Sequence, residues 1–150
     1  MIPLIVLAAG FLLFVFLGMA GIPYFVGYHH ALRLALAVMF LLTASAHWGA
    51  KRADLVRMVP PSFKHPELWV TVTGILEMLG AAGLLIPATV TIAAIGLSLM
   101  LIAMFPANVH AARLRLTIGG RPVPRLGTRI VIQLIFLACV LIAGFDFGAA

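Results

Sequence analysis

Five stretches of this chain are long and apolar enough to cross a lipid bilayer, and nothing else in the sequence constrains the fold as tightly. A spanning helix needs about 20 consecutive, mainly apolar residues. Such stretches run over about 2–25, 31–48, 68–86, 88–109 and 130–147. Lipid offers the backbone no hydrogen-bond partner, so segments of this kind are confined to helices or closed barrels, and runs of this length are helical. Composition agrees. The 150 residues are 64% hydrophobic and 9% charged, with a mean hydropathy of +1.21, where soluble domains run near 45–50% and about 25%. So few polar residues cannot cover a water-facing surface, which excludes disorder, a secreted disulfide scaffold and a cytosolic metabolic fold. The expected fold is all-α: an integral membrane helical bundle, with residues 1–150 as one transmembrane domain.

The first stretch lacks a basic leader and is too long and uniform for a signal peptide, so it reads as a retained span. The joints carry turn residues: Gly21, Pro23 and Gly27; Pro60-Pro61 and Pro66; Pro87, which predicts a tight hairpin; and Gly119-Gly120-Arg121-Pro122. Lys51, Arg52, Arg57 and Lys64 fall in the loop over 49–67, and Arg113, Arg115, Arg121, Arg125 and Arg129 in the loop over 110–129. Only Arg33 lies elsewhere. The positive-inside rule puts both loops in the cytoplasm of a bacterial-type inner membrane, with the N-terminus inside and the C-terminus outside. If the first stretch does not span, both termini lie outside. The net charge of +6 thus has a membrane explanation, and no basic stripe interleaved with aromatics points to nucleic acid. Cys139, the single cysteine, excludes an intrachain disulfide and reads as a small packed hydrophobe.

Ionisable groups inside spans demand explanation, because each costs at least ~2.5 kcal/mol to insert. Glu77 lies ten residues past Glu67, ~15 Å deep at helical rise. Thr73 shares its face, and Gly74, Gly80 and Ala81 let another helix approach. Two readings stand side by side: a buried proton donor or acceptor, and a packing hydrogen bond between helices. His47 closes the second stretch, and Asn108 and His110 close the fourth just after Pro106. That proline cannot donate to the Ile102 carbonyl, so a distortion or a polar partner is expected there. Asn108 and His110 point about 200° apart on a regular helix. Gln133 lies one turn into the fifth stretch. We expect His47, Asn108, Gln133 and Glu77 to line one cavity, although helix rise separates Glu77 from the others by roughly 8–12 Å. The segment over 49–67, with Met58-Val59-Pro60-Pro61, is expected to fold back as a short amphipathic helix and lid. Its Asp54 is expected to pair with Arg113 or Arg129. No His-x-x-x-His or carboxylate–His spacing favours haem or metal. Trp48, Trp69, Tyr24 and Tyr28 read as interfacial residues.

The order of several motifs resembles the DoxX family of small bacterial membrane proteins: His47-Trp48, Asp54-Leu55-Val56-Arg57-Met58-Val59-Pro60-Pro61, Thr73-Gly74-Ile75-Leu76-Glu77, Gly83-Leu84-Leu85-Ile86-Pro87 and Phe105-Pro106-Ala107-Asn108-Val109-His110-Ala111-Ala112. The resemblance covers about residues 31–147. It implies a four-helix core, with the first stretch as an addition, and a link to membrane redox or quinone-dependent complexes. Relatives of sterol-isomerase type, with acidic residues and a His in a membrane cavity, are a looser analogy. The expected function is therefore a site for a lipophilic, quinone- or isoprenoid-like molecule. In it Glu77 is acid/base, His47 a proton relay, and Asn108, His110, Gln133, Asp54 and Arg113 face the ligand. Electrons would require a bound quinone or a membrane redox partner. The competing expectation is a non-catalytic assembly subunit, homo-oligomeric or holding a partner or anionic lipid on its basic loops.

Overall fold

The computed structural model describes residues 1–145, so the expected end of the fifth span at Phe147 lies outside the described residues. The chain is all-α apart from one two-residue hairpin. Its helices are α1 (Ile2–Met19), α2 (Tyr28–Ser45), α3 (Arg52–Met58), α4 (Pro66–Leu85), α5 (Val90–Ala103), α6 (Phe105–Arg113) and α7 (Leu126–Gly144). A 3-10 turn (Pro23–Phe25) joins α1 to α2. Strands β1 (Thr117–Ile118) and β2 (Arg121–Pro122) pair antiparallel before α7.

Four helical stretches are long and apolar enough to cross a membrane: α1, α4, the α5–α6 pair over Val90–Arg113, and α7. The second expected span, α2, has the same length as α1, but Tyr28, His29, His30 and Arg33 make its first turns polar. The rest of α2 is the best-covered helix of the bundle. Ala31, Leu32, Ala35, Leu36, Ala37, Met39, Phe40 and Ala44 are buried, because α2 touches α1, α4 and α7 at once. Helices α2, α4, α5 and α7 close a ring, each packed on the next. Helix α1 leans on the outside of α2 and buries only Leu7. The four-helix core with an added N-terminal helix is the observed architecture.

Sequence accounts for most boundaries. Helix α1 ends at Met19 rather than running on to Phe25, because Gly21 turns the chain at φ +89°. Pro66 and Pro106 sit in the first turn of α4 and α6, where a missing N–H costs nothing. The fourth span breaks at Met104, two residues before Pro106, the distortion that proline demands. It then continues through buried Ala111 to Arg113, four residues past the expected end at 109. Helix α7 starts at Leu126, which draws Arg129 out of the expected loop and into the first helical turn. At its other end, the last-turn carbonyls are met by side chains from neighbouring helices. Arg33 Nε donates to Ala143 O at 2.8 Å and the Thr91 hydroxyl to Gly144 O at 3.0 Å, satisfying groups a helix end leaves open.

In lipid no hydrophobic force draws helices together, so close packing of small residues must do so. A Cβ added at Gly83 would lie 2.7 Å from Ala93 Cβ, and Gly80 and Gly144 meet Leu97 and Ala94 more closely still. These contacts set α4 antiparallel to α5 and α5 antiparallel to α7.

Candidate functional site

Helix α4 buries a stripe of Val70, Gly74, Glu77, Ala81 and Leu84, spaced by four, three, four and three residues as one helix face requires. Glu77 occupies the middle of that stripe. Opposite it, α2 ends at Ser45 and the chain turns, which lets His47 lie against α4. Gly74 makes the approach feasible. A Cβ there would stand 2.7 Å from His47 Cβ, 2.8 Å from its Cγ and 2.8 Å from Trp48 Cη2. His47 and Glu77 are each only 4% exposed.

The imidazole is held from both sides. Nδ1–H donates to the Val70 carbonyl at 2.5 Å, which fixes the tautomer when the ring is neutral. The Thr73 hydroxyl, which donates to Trp69 O at 2.8 Å, lies 3.5 Å from the same nitrogen. Nε2 then faces Glu77 Oε1 at 3.6 Å, within reach of an ion pair but longer than a hydrogen bond. The second carboxyl oxygen, Oε2, is buried without a partner. Arg52 secures the turn that carries His47: it donates to His47 O at 2.7 Å, to Thr71 Oγ1 at 2.9 Å and to Glu67 O at 3.2 Å. One exchangeable proton fits this pair, on either Glu77 or His47, and the pair is net neutral both ways. That is the form of charge a low-dielectric interior tolerates best.

A second polar group ties α5–α6 to α7. Asn108 Nδ2 donates to Gln133 Oε1 at 2.6 Å. Arg129 donates to Asn108 Oδ1, and the Gln133 amide donates to the Leu101 carbonyl beside the break at Met104. Of the two outcomes expected at Pro106 the distortion is the one seen, at Met104, while Gln133 reaches the Leu101 carbonyl rather than that of Ile102.

The expected site thus separates into parts. His47 meets Glu77, and Asn108 meets Gln133, but no hydrogen bond or ion pair among the described residues joins the two pairs. One amide hydrogen of Asn108 and one of Gln133 are committed within the protein rather than to a ligand. His110 faces away from Asn108, as the 200° separation implies. With Arg113, Phe105, Pro106, Val109 and Pro60 it lines an open groove of about 370 Å³. Asp54 corrects one expectation. It binds neither Arg113 nor Arg129 but Arg57, one turn along α3, and accepts the Gly119 amide at 2.7 Å. Local reach decides this: a partner three residues away on the same helix is already at hand. The Gly119 amide, and after it Arg57, hold the Asp54 carboxyl below its ordinary range. The short helix expected over 49–67 is present as α3, with Met58 buried and the helix packed on α4 and α6.

Sequence reasoning missed three residues. Arg129 lies four before Gln133 on one face of α7, a spacing that was open to inspection. Arg33, a lone cation in an apolar helix, is used as a helix cap. Arg52 gave no signal, since nothing in its neighbours shows which of the loop cations turns inward. Among the described residues no cluster of three or more His, Cys, Asp or Glu is arranged to hold a metal.

No curated protein and no solved structure matches the chain. A family model described as a domain of unknown function, DUF8561, matches residues 36–143, a span that contains His47, Glu77, Asn108 and Gln133 and the whole four-helix ring from the middle of α2 onward; the chain belongs to that family.

Proposed function

We propose that this is a multi-pass protein of a bacterial-type inner membrane, its basic end cytoplasmic, in which His47 and Glu77 form a proton-exchanging site for a lipophilic small molecule. The observation that carries this reading is the buried pair with one carboxyl oxygen left without a partner. A packing bond would satisfy both oxygens, because an unmet buried polar atom costs about 1–3 kcal/mol. A ligand oxygen near Oε2 supplies the missing partner, and Glu77 then gives or takes a proton while His47 Nε2 holds its counterpart. Val70 and Thr73 orient the ring, and Arg52 is a positioning residue. The ligand class is quinone- or isoprenoid-like, because such a molecule reaches a mid-bundle carboxyl from lipid without crossing water. The motif order shared with the DoxX family supports the same class, and any electrons come from a membrane redox partner.

The second reading is a non-catalytic assembly subunit. It is favoured by the Asn108–Gln133–Arg129 group, whose amide bonds run to other groups of the protein.

Binding to the purified protein in nanodiscs separates the two. Mass spectrometry of lipophilic molecules retained from native membranes names the ligand, and a short-chain benzoquinone, a naphthoquinone and an isoprenyl alcohol serve as probes. One probe class binds to wild type and weakens at least ~10-fold in Glu77→Gln and His47→Gln, as loss of a buried hydrogen bond to a charged or exchanging group requires. Both variants keep wild-type helix content. Equal binding in the variants, or none to wild type, refutes the proposal.

A further inference from the structure

The groove beside α6 has chemistry at both ends. Its walls, Phe105, Pro106, Val109 and Pro60, are apolar, and its polar lining consists of His110 and Arg113. No acidic residue lines it. Of the acidic residues at this end of the bundle, Asp54 is engaged by Arg57 and the Gly119 amide. The other, Glu67, opens α4, across α3 from α6. The groove also continues into a track. Ile92, Ile95, Leu99 and Ile102 are exposed along α5, spaced by three, four and three residues. Steps of four, three and four more reach Pro106, Val109 and Arg113. Within α5 that is one helix face, about 15 Å long from Ile92 to Ile102 at helical rise, and beyond the break at Met104 the same spacing leads along α6 to the cation Arg113.

We propose that this groove binds an anionic phospholipid, its phosphate on Arg113 and His110 and an acyl chain along the α5 face. Charge complementarity selects the headgroup, and the apolar track selects a lipid over a free anion. The guanidinium offers a phosphate a planar fork of donors, and Pro60, on the segment after α3, closes the far wall. The proposal rests on the membrane placement of the chain and not on the chemistry of His47 and Glu77.

The test is native mass spectrometry of the full chain released from nanodiscs of equal parts phosphatidylglycerol and phosphatidylcholine. Wild type retains phosphatidylglycerol in preference. Arg113→Gln lowers that preference about five-fold, the effect of one surface arginine on an anionic lipid. Arg121→Gln, an equal charge change on the β hairpin, leaves it in place, and so does Glu77→Gln. His110→Leu, which removes the imidazole donor, and Val109→Trp, which fills the groove, provide the same reading should Arg113→Gln misfold. No preference in wild type, an equal loss in Arg121→Gln or Glu77→Gln, or displacement of the lipid by millimolar inorganic phosphate alone overturns the proposal.

Discussion

Replacing Gly74 by alanine tests the contact on which the His47–Glu77 pair depends. Apolar carbons pack at roughly 3.5–4.0 Å, and the new methyl would stand 2.7–2.8 Å from His47 Cβ, His47 Cγ and Trp48 Cη2. Each contact is therefore too short by about 0.8 Å. Two of the three atoms belong to the root of the His47 side chain, which cannot swing away without moving its backbone. Overpacking of this kind costs about 1–3 kcal/mol, and pulling His47 off the Val70 carbonyl removes about 1 kcal/mol more. Against this, alanine is worth about 1 kcal/mol over glycine inside a helix. The net expectation is a loss of about 1–3 kcal/mol.

The structure supplies its own control. Gly96 also lies within a helix, α5, and nothing stands within 4 Å of a Cβ placed there. Gly96→Ala should therefore be neutral or stabilising by up to about 1 kcal/mol, so the two variants should differ by about 1–4 kcal/mol. Reversible unfolding in mixed detergent micelles measures both, and the imidazole resonance of His47 reports the local displacement. A Gly74→Ala protein as stable as Gly96→Ala, with the His47 signal unmoved, would show that α2 and α4 do not approach as described.

Asn108→Ala and Gln133→Ala should each destabilise by about 1 kcal/mol, since each leaves a half-buried partner without its bond; the double variant should lose less than the sum of the singles, and strict additivity in the same unfolding assay would contradict the described network. Asp54 is held below its ordinary range, so its hold on Gly119 is complete at pH 7 and persists through the unfolded carboxylate value near ~3.9. It is lost only as the pH falls through the lower folded value. Hydrogen exchange at the Gly119 amide should accordingly stay slow at neutral pH in wild type and become faster in Asp54→Asn, and equal rates in the two proteins would refute the contact.

How much of this was open to sequence reading depends on the distance over which each feature is decided. Features set within one turn were legible: the hairpin at Pro87, the glycine turn at 119–120, the break forced by Pro106 and the opposed directions of Asn108 and His110. The depth of Glu77 also followed from counting residues. The depth of His47 did not. It was expected well below Glu77, yet it meets α4 between Val70 and Glu77, beside Gly74, about 12 Å of rise beyond the start of that helix. Where one helix stops along another is fixed by which side chain fits which notch, and periodicity within either helix carries no such information. The same holds in part for Asp54. Its basic partner, Arg57, lay one turn away and could have been read, but the Gly119 amide at 2.7 Å comes from a hairpin 65 residues on, which no local pattern shows.

The two polar groups of the bundle differ in a way that bears on their roles. In the Asn108–Gln133–Arg129 group the amide oxygens of Asn108 and Gln133 each accept a bond from another helix. The Gln133 amide serves a carbonyl at a helix break. Arg129 Nε is left without a partner, but the amide bonds fix which helices meet and in what register, and they offset much of the cost of burying the group. Glu77 gains far less. Its nearest partner stands 3.6 Å away, and its other oxygen has none. Packing alone would be served better by an apolar residue of similar volume, which is often neutral or stabilising in place of a buried ionisable pair. A carboxyl in the middle of the α4 stripe, with Gly74 one turn away on the same face admitting an imidazole, is what the proposed proton site requires and what a brace between helices does not.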